Sequence, residues 1–276
     1  MKKAVIHVRE REPSTVIDNS LLAGKNVLVT GAGRNIGRSI ALEMAAQGAN
    51  VFFTDIDSRR CDDLASQLKQ YQVDSRGFVS NVSKLADIDS MHDALTRDRV
   101  SIDILVHNAA LHSGGVGVRT FDRDEWATTF ETNVFGPLYL TKLVANSLIG
   151  GGVEGGCIIF LSSIHQWTVR SVPSYSASKA ALGMIIKELA TELAPFGIRV
   201  NGIAPGLVAE EGAAGPKYIE HALLHKSAID PCYIGRAAVF LASRYFSEFT
   251  TGTVLKIDDG FSLFNQYTDK YPTAIA

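Results

Sequence analysis

The feature that most restricts this chain is a series of short apolar runs set apart by helix-length segments. Asn26–Thr30, Asn50–Thr54, Ser75–Val79, Ile102–Val106, Cys157–Leu161, Ile198–Ile203 and Thr253–Ile257 read as strands, each continuous rather than strictly alternating. A strand with no polar face has to be covered on both sides, which is the condition of a parallel sheet between helical layers. Ile36–Gln47, Arg59–Tyr71 and the segments near 123–148 and 174–194 carry helical spacing. Strand and helix in turn, joined by right-handed crossovers, predict an α/β fold: a doubly wound parallel sheet of about seven strands flanked by helices. In such a sheet a ligand sits outside the carboxyl ends of the strands.

The 276 residues suit one large domain, and neither repeat nor composition break marks a second. Residues 1–23 are polar and charged with Pro13, and are expected to form an arm; 24–264 carry the strand–helix rhythm of the single domain, and 265–276 form a tail. A net charge of −2 gives no general attraction to nucleic acid or anionic lipid, so neither is expected as a partner. No apolar run approaches the roughly 20 residues that span a bilayer, and acidic residues interrupt MKKAVIHVREREPS before a signal-type apolar region develops. Cys61, Cys157 and Cys232 are widely spaced, which predicts reduced thiols and a cytoplasmic protein. The seven histidines and three cysteines show no metal-ligand spacing, and no catalytic metal is expected.

Thr30-Gly31-Ala32-Gly33-Arg34-Asn35-Ile36-Gly37 lies between a predicted strand and a predicted helix. Glycines there permit positive φ and let backbone N–H groups approach a pyrophosphate at the helix N-terminus. Asn35 replaces a glycine usual in such turns, although asparagine tolerates left-handed geometry well. Asp55 ends the next strand, where a carboxylate accepts the adenosine ribose hydroxyls and repels a 2′-phosphate. NAD is therefore expected over NADP, although Arg34 could meet a 2′-phosphate, or simply sit in solvent.

Tyr175 and Lys179 are four residues apart in a helix expected to start near Pro173, and so share a face. Lowering a tyrosine pKa from about 10 to about 7 needs roughly 4 kcal/mol. An ammonium about 4 Å away supplies on the order of 4 kcal/mol at an effective dielectric of 20. The pair is thus expected to yield a tyrosinate near neutrality without a metal. Ser162 and Ser163 end a buried strand just upstream and bring a hydroxyl to the same crevice.

With these parts in order, the chain resembles the short-chain dehydrogenase/reductase family over about residues 24–264. The resemblance rests on TGAGRNIG, Asp55, HNAA at 107–110 where the family usually has NNAG, Asn133 in TNVFG, the paired serines, YSASK, VNGIAPG at 200–206 and TGTVLKIDDG at 251–260. It implies a Rossmann-type sheet and an NAD-dependent enzyme acting on the CH–OH group of a small alcohol or ketone. Tyr175 would be the general acid/base, Lys179 would lower its pKa and hold the nicotinamide ribose, and Asn133 would order a water linking Lys179 to solvent. A serine would bind the reacting oxygen. The usual gap before the tyrosine selects Ser162, but SSIHQ is similar to the SSVHE of the family's glucose dehydrogenases and favours Ser163.

For the cofactor, the resemblance implies contacts from Gly31, Arg34, Asn35, Ile36, Gly37, Asp55, Asn81, Val82, Asn108, Tyr175, Lys179, Pro205, Gly206 and Val208. Asn81 stands where the family has aspartate, and Glu210 where it has a carboxamide-binding threonine. His112, His165, Gln166, Trp167 and the loop 207–226 would line the substrate. A sugar or polyol is the first expectation for that substrate; a hydrophobic ketone, cyclic diol or oxoacyl thioester is the alternative. A nucleotide-sensing or scaffold protein without turnover is the reading from another class. The two long helices are too apolar for a single buried face, and the resemblance implies that they pair subunits into a homodimer or homotetramer.

Overall fold

A computed structural model describes residues 20–112, 117–152, 155–210 and 222–263. Nearly all of the expected arm, and the whole expected tail, lie outside the described residues. Seven strands, β1 (Asn26–Val29), β2 (Asn50–Asp55), β3 (Ser75–Val79), β4 (Ile104–His107), β5 (Gly156–Leu161), β6 (Ile198–Pro205) and β7 (Val254–Ile257), form one sheet in the order β3-β2-β1-β4-β5-β6-β7. Every neighbouring pair is parallel. The order reverses between β1 and β4, which opens a crevice at their carboxyl ends.

The apolar runs are continuous because successive residues enter two different cores. Val27, Val29, Val106 and Ile159 pack with α1 (Asn35–Ala46), α2 (Ser58–Leu68) and α7 (Pro231–Ala242). Leu28, Leu105, Ile158 and Phe160 pack with α3 (Leu85–Arg97), α5 (Gly136–Gly150) and α6 (Pro173–Leu193). Among the described residues no helix is long and apolar enough to cross a membrane.

Two expected elements differ. β4 starts at Ile104 rather than Ile102, because the Asp103 carboxylate turns aside to accept the Asn26 N–H. The segment near 123–148 is not one helix: α4 (Arg123–Phe130) passes through a π turn at Glu131–Phe135 before α5 begins. At that junction Gly136 lies so close to the Val82 carbonyl that any Cβ would overlap it. The extra residue of the π turn rotates Asn133 inward, where it is buried.

Candidate active site

The β1–α1 turn is held by its neighbours before any ligand is considered. The Asn108 side-chain amide, at the end of β4, donates to the carbonyls of Thr30 (3.0 Å) and Gly31 (2.8 Å). Thr30 Oγ1 in return accepts the N–H groups of Asn108 and Ala109, each at 3.1 Å. Gly31 takes φ of +61° against the Ala109 backbone, and Asn35 takes φ of +46°, the left-handed geometry its side chain tolerates. Asp55 is buried, with Oδ2 accepting from Gly33 N–H (2.9 Å) and Oδ1 from Asp57 N–H (3.1 Å). The carboxylate thus locks the glycine turn to the end of β2.

These residues face a cleft of about 820 Å³, within the range of cofactor sites. Gly31, Arg34, Asn35, Ile36, Gly37, Asp55, Asn81, Val82 and Asn108 all line it, and so does Glu210. Pro205, Gly206, Val208, Tyr175 and Lys179 do not line this cleft. Pro205 ends β6, Gly206 packs against Asp258, and Val208 bridges to Ile229. Asn81 turns its Oδ1 to Ser83, accepting from the backbone N–H (3.0 Å) and the hydroxyl (2.8 Å). A glycine turn at a helix N-terminus, with a carboxylate one strand away, fits a dinucleotide.

The second part of the site lies where β5 ends and α6 begins. The Lys179 ammonium sits 5.4 Å from the centre of the Tyr175 ring and donates to the Leu161 carbonyl at 2.6 Å. Ser163 hydrogen-bonds the Tyr175 hydroxyl, which favours its ionised form. Ser162 points elsewhere, donating to Gln166 Oε1 (2.8 Å) and to the Lys179 carbonyl (3.3 Å). Of the two serines, Ser163 meets the tyrosine. Asn133 accepts from Leu111 N–H (2.8 Å) and donates to the Leu111 carbonyl and the Ser178 hydroxyl, both at 3.0 Å. Ser178 passes this on to the Tyr175 carbonyl at 2.7 Å, so the π turn braces the helix that carries the tyrosine.

The expected tyrosinate is not what these surroundings favour. Burial pushes Tyr175 up to about 12, partly opposed by the Ser163 bond, and pushes Lys179 down to about 7. The Coulomb argument placed a full ammonium beside the phenol in a medium of dielectric 20. In the structure the same burial that would strengthen the attraction also lowers the lysine's hold on its proton. Burial thus favours the neutral phenol of Tyr175 near neutral pH.

Two histidines missing from the catalytic expectation flank the tyrosine. His112 packs against its ring at 4.6 Å and His165 stands edge-on at 5.0 Å, with His165 Nδ1 3.0 Å from the Ser176 hydroxyl. Burial, aided by Arg170, holds the His165 pKa down at about 4. Gln166, expected at the substrate, instead lies beneath the loop, bonded to Ser162 and pressed on Gly183. Trp167 is half exposed beside Lys256. Residues 211–221 of the expected 207–226 lining lie outside the described residues. At the other end of the site Arg60 was not foreseen: its guanidinium is 3.7 Å from Asp55 and 3.9 Å from Asp57. Its place on α2, one turn in from the Asp57 cap, is the signal that was available.

Comparison with known proteins agrees with this arrangement. Residues 31–262 match the family model described as enoyl-(acyl carrier protein) reductase. The 7alpha-hydroxysteroid dehydrogenase of Escherichia coli K12 is 31% identical over 253 residues, covering 88% of this chain and 96% of the relative. Glucose 1-dehydrogenase 2 of Bacillus subtilis is 28% identical over 251 residues, again covering 88% and 96%. The L-sorbose reductase of Gluconobacter frateurii, solved with NADPH and L-sorbose, superposes with a TM-score of 0.82 at 25% identity, covering 89% of this chain and 98% of that one. Sheet order, glycine turn and the tyrosine–lysine helix thus accompany similarity along nearly the whole described chain, and the protein belongs to the short-chain dehydrogenase/reductase family, as an oxidoreductase acting on alcohol or ketone substrates.

Proposed function

We propose that the protein is an NAD(H)-dependent dehydrogenase that interconverts a secondary alcohol and its ketone, with a sugar or polyol skeleton as substrate and Tyr175 as general acid/base. The observation that carries this reading is the meeting of Tyr175 and Ser163 at the end of β5, with the buried Lys179 4 residues along the same helix. Relatives that act on glucose and L-sorbose support the substrate class.

The bound nicotinamide supplies the hydride acceptor for oxidation and the donor for reduction. In reduction the Tyr175 hydroxyl gives its proton to the carbonyl oxygen as the C–H bond forms, leaving the alcohol; oxidation reverses both transfers. The Ser163 hydroxyl hydrogen-bonds the same oxygen and holds it at the tyrosine. Lys179 would hold the nicotinamide ribose and return a proton to the tyrosine as its own is given up, and Asn133 braces the tyrosine's turn of the helix through Ser178. Gly31, Arg34, Asn35, Ile36 and Gly37 take the pyrophosphate, Asp55 the ribose hydroxyls, Asn81 and Val82 the adenine, and Asn108, Pro205, Gly206 and Val208 the nicotinamide side.

NAD(H) should bind at least about tenfold more tightly than NADP(H), roughly 1.4 kcal/mol, because the Asp55 carboxylate opposes a 2′-phosphate. The subunits pair into a homodimer or homotetramer, supported by Phe135, Ile149 and Met184, which α5 and α6 and the adjoining turn leave exposed. Light scattering at micromolar concentration should return at least twice 29.8 kDa. The deciding assay screens sugars and polyols for NADH formation and repeats the best of them with Tyr175→Phe; undiminished turnover there would overturn the reading.

A further inference from the structure

Given the dehydrogenase reading above, we propose that Arg170 and Lys256 form a carboxylate-binding rim at the mouth of the Tyr175 crevice, so that the substrate is a hydroxy or keto acid rather than a neutral polyol.

The two cations come from separate elements and converge on shared supports. The Arg170 guanidinium lies 4.8 Å over the Phe261 ring, and the Lys256 ammonium 4.7 Å over the Trp167 ring. Lys256 also reaches the Ser262 hydroxyl at 3.4 Å. Phe261 and Ser262 are adjacent, and Trp167 precedes Arg170 by three residues in the loop from β5 to α6. The side chains therefore make one patch rather than two accidental pairs. A cation resting on an aromatic face has its orientation fixed while its charge stays available to a ligand.

Neither cation forms an ion pair among the described residues. The acids closest in sequence to Lys256 are occupied. Asp258 accepts from the N–H groups of Gly260 (3.1 Å) and Ser262 (2.9 Å). Asp259 accepts from Leu224 N–H (3.2 Å) and His225 N–H (3.0 Å). Among the described residues, then, no carboxylate pairs with either cation.

The patch adjoins the chemistry. Arg170 lies on the loop joining Ser163 to Tyr175, and Trp167, on which Lys256 rests, follows two residues after His165, whose ring stands 5.0 Å from Tyr175. Exposure rises along this path, from half-buried Tyr175 and His165 to exposed Arg170 and Lys256. His165, held neutral and tethered to Ser176, offers hydrogen bonds to hydroxyls without adding a third positive charge. A chain with its reacting carbon at Tyr175, hydroxyls at the imidazoles and an anionic end at the rim matches that gradation.

Calorimetry decides this without turnover. The full-length protein, with and without NADH, is titrated with matched pairs of equal carbon number: gluconate and glucitol, galactonate and galactitol, threonate and threitol. At least one acid is expected to bind about tenfold or more tightly than its polyol, and the advantage should shrink as salt is raised. In Arg170→Met/Lys256→Met that acid should lose at least about tenfold in affinity, while Arg170→Lys alone should retain part of it. Binding of no acid, equal affinity within every pair, or a preference untouched by the double variant would each overturn the rim. NADH formation from the same pairs is read separately: failure of every compound counts against the dehydrogenase reading, whereas turnover confined to polyols counts against the rim alone.

Discussion

Two residues at opposite ends of the site set its chemistry, and each depends on a neighbour. Burial favours the neutral phenol of Tyr175, whose hydroxyl is hydrogen-bonded by Ser163. Tyr175→Phe should leave the fold and cofactor binding intact while lowering kcat by at least about a hundredfold, the low end of general acid–base contributions. Ser163→Ala should cost substantial rate in the same assay, and Ser162→Ala little, because Ser162 is spent on Gln166 and the Lys179 carbonyl. Equal losses for the two serines would contradict that division. At the other end of the site, Arg60 offsets part of the Asp55 charge at 3.7 Å. Fluorescence titration should therefore find that Arg60→Ala widens the preference for NADH over NADPH and that Asp55→Ala narrows it. An unchanged ratio in Arg60→Ala would remove it from the selection.

At the scale of elements, what could be read in the sequence was whatever a short window decides. The strands announced themselves because both faces are buried, and the glycine turn, Asp55 and YSASK are local signals. The helices α3 and α7 were not singled out. In α3 the buried positions Ile88, Met91, Ala94 and Leu95 are diluted by charge, and in α7 small residues blur the period. The π turn was hidden because its cause is distant: Gly136 must clear the Val82 carbonyl from another loop. The inward turn of Gln166 and the approach of Arg60 to Asp55 likewise depend on side-chain packing that spacing does not encode. Gly136→Ala should consequently destabilise the protein by about 1–3 kcal/mol, the usual cost of overpacking, read from the urea midpoint. It should also weaken NADH binding, since Val82 lines the cleft beside the glycine turn. Full stability would mean that the π turn has another cause.

For the whole molecule, the core carries a titratable group that links stability to pH. His107 is buried, stacked on Phe160 at 4.6 Å, with Nε2 2.8 Å from Thr141 Oγ1 and Nδ1 without a hydrogen-bond partner among the described residues. Burial drives its pKa from 6.5 down to about 3. In the unfolded chain the same imidazole takes up a proton near 6.5, so between these values the unfolded state binds more protons than the folded one. Stability contributed by the neutral ring is therefore present above pH 6.5 and is lost as pH falls toward 3, by at most about 1.4 kcal/mol per pH unit. His165, depressed to about 4, acts with the same sign over a narrower window. Carboxylates add their own losses below about pH 5, so the useful measurement is a difference between two proteins. His107→Asn places at this position the residue the family usually carries and removes the titration. Urea midpoints at pH 7.5, 6.5, 5.5 and 4.5 should fall more steeply for the unmodified protein, the gap growing as the solution is acidified. Parallel decline of the two curves would mean that His107 is charged in the fold, and that the burial of its ring beside Phe160 does not govern its proton.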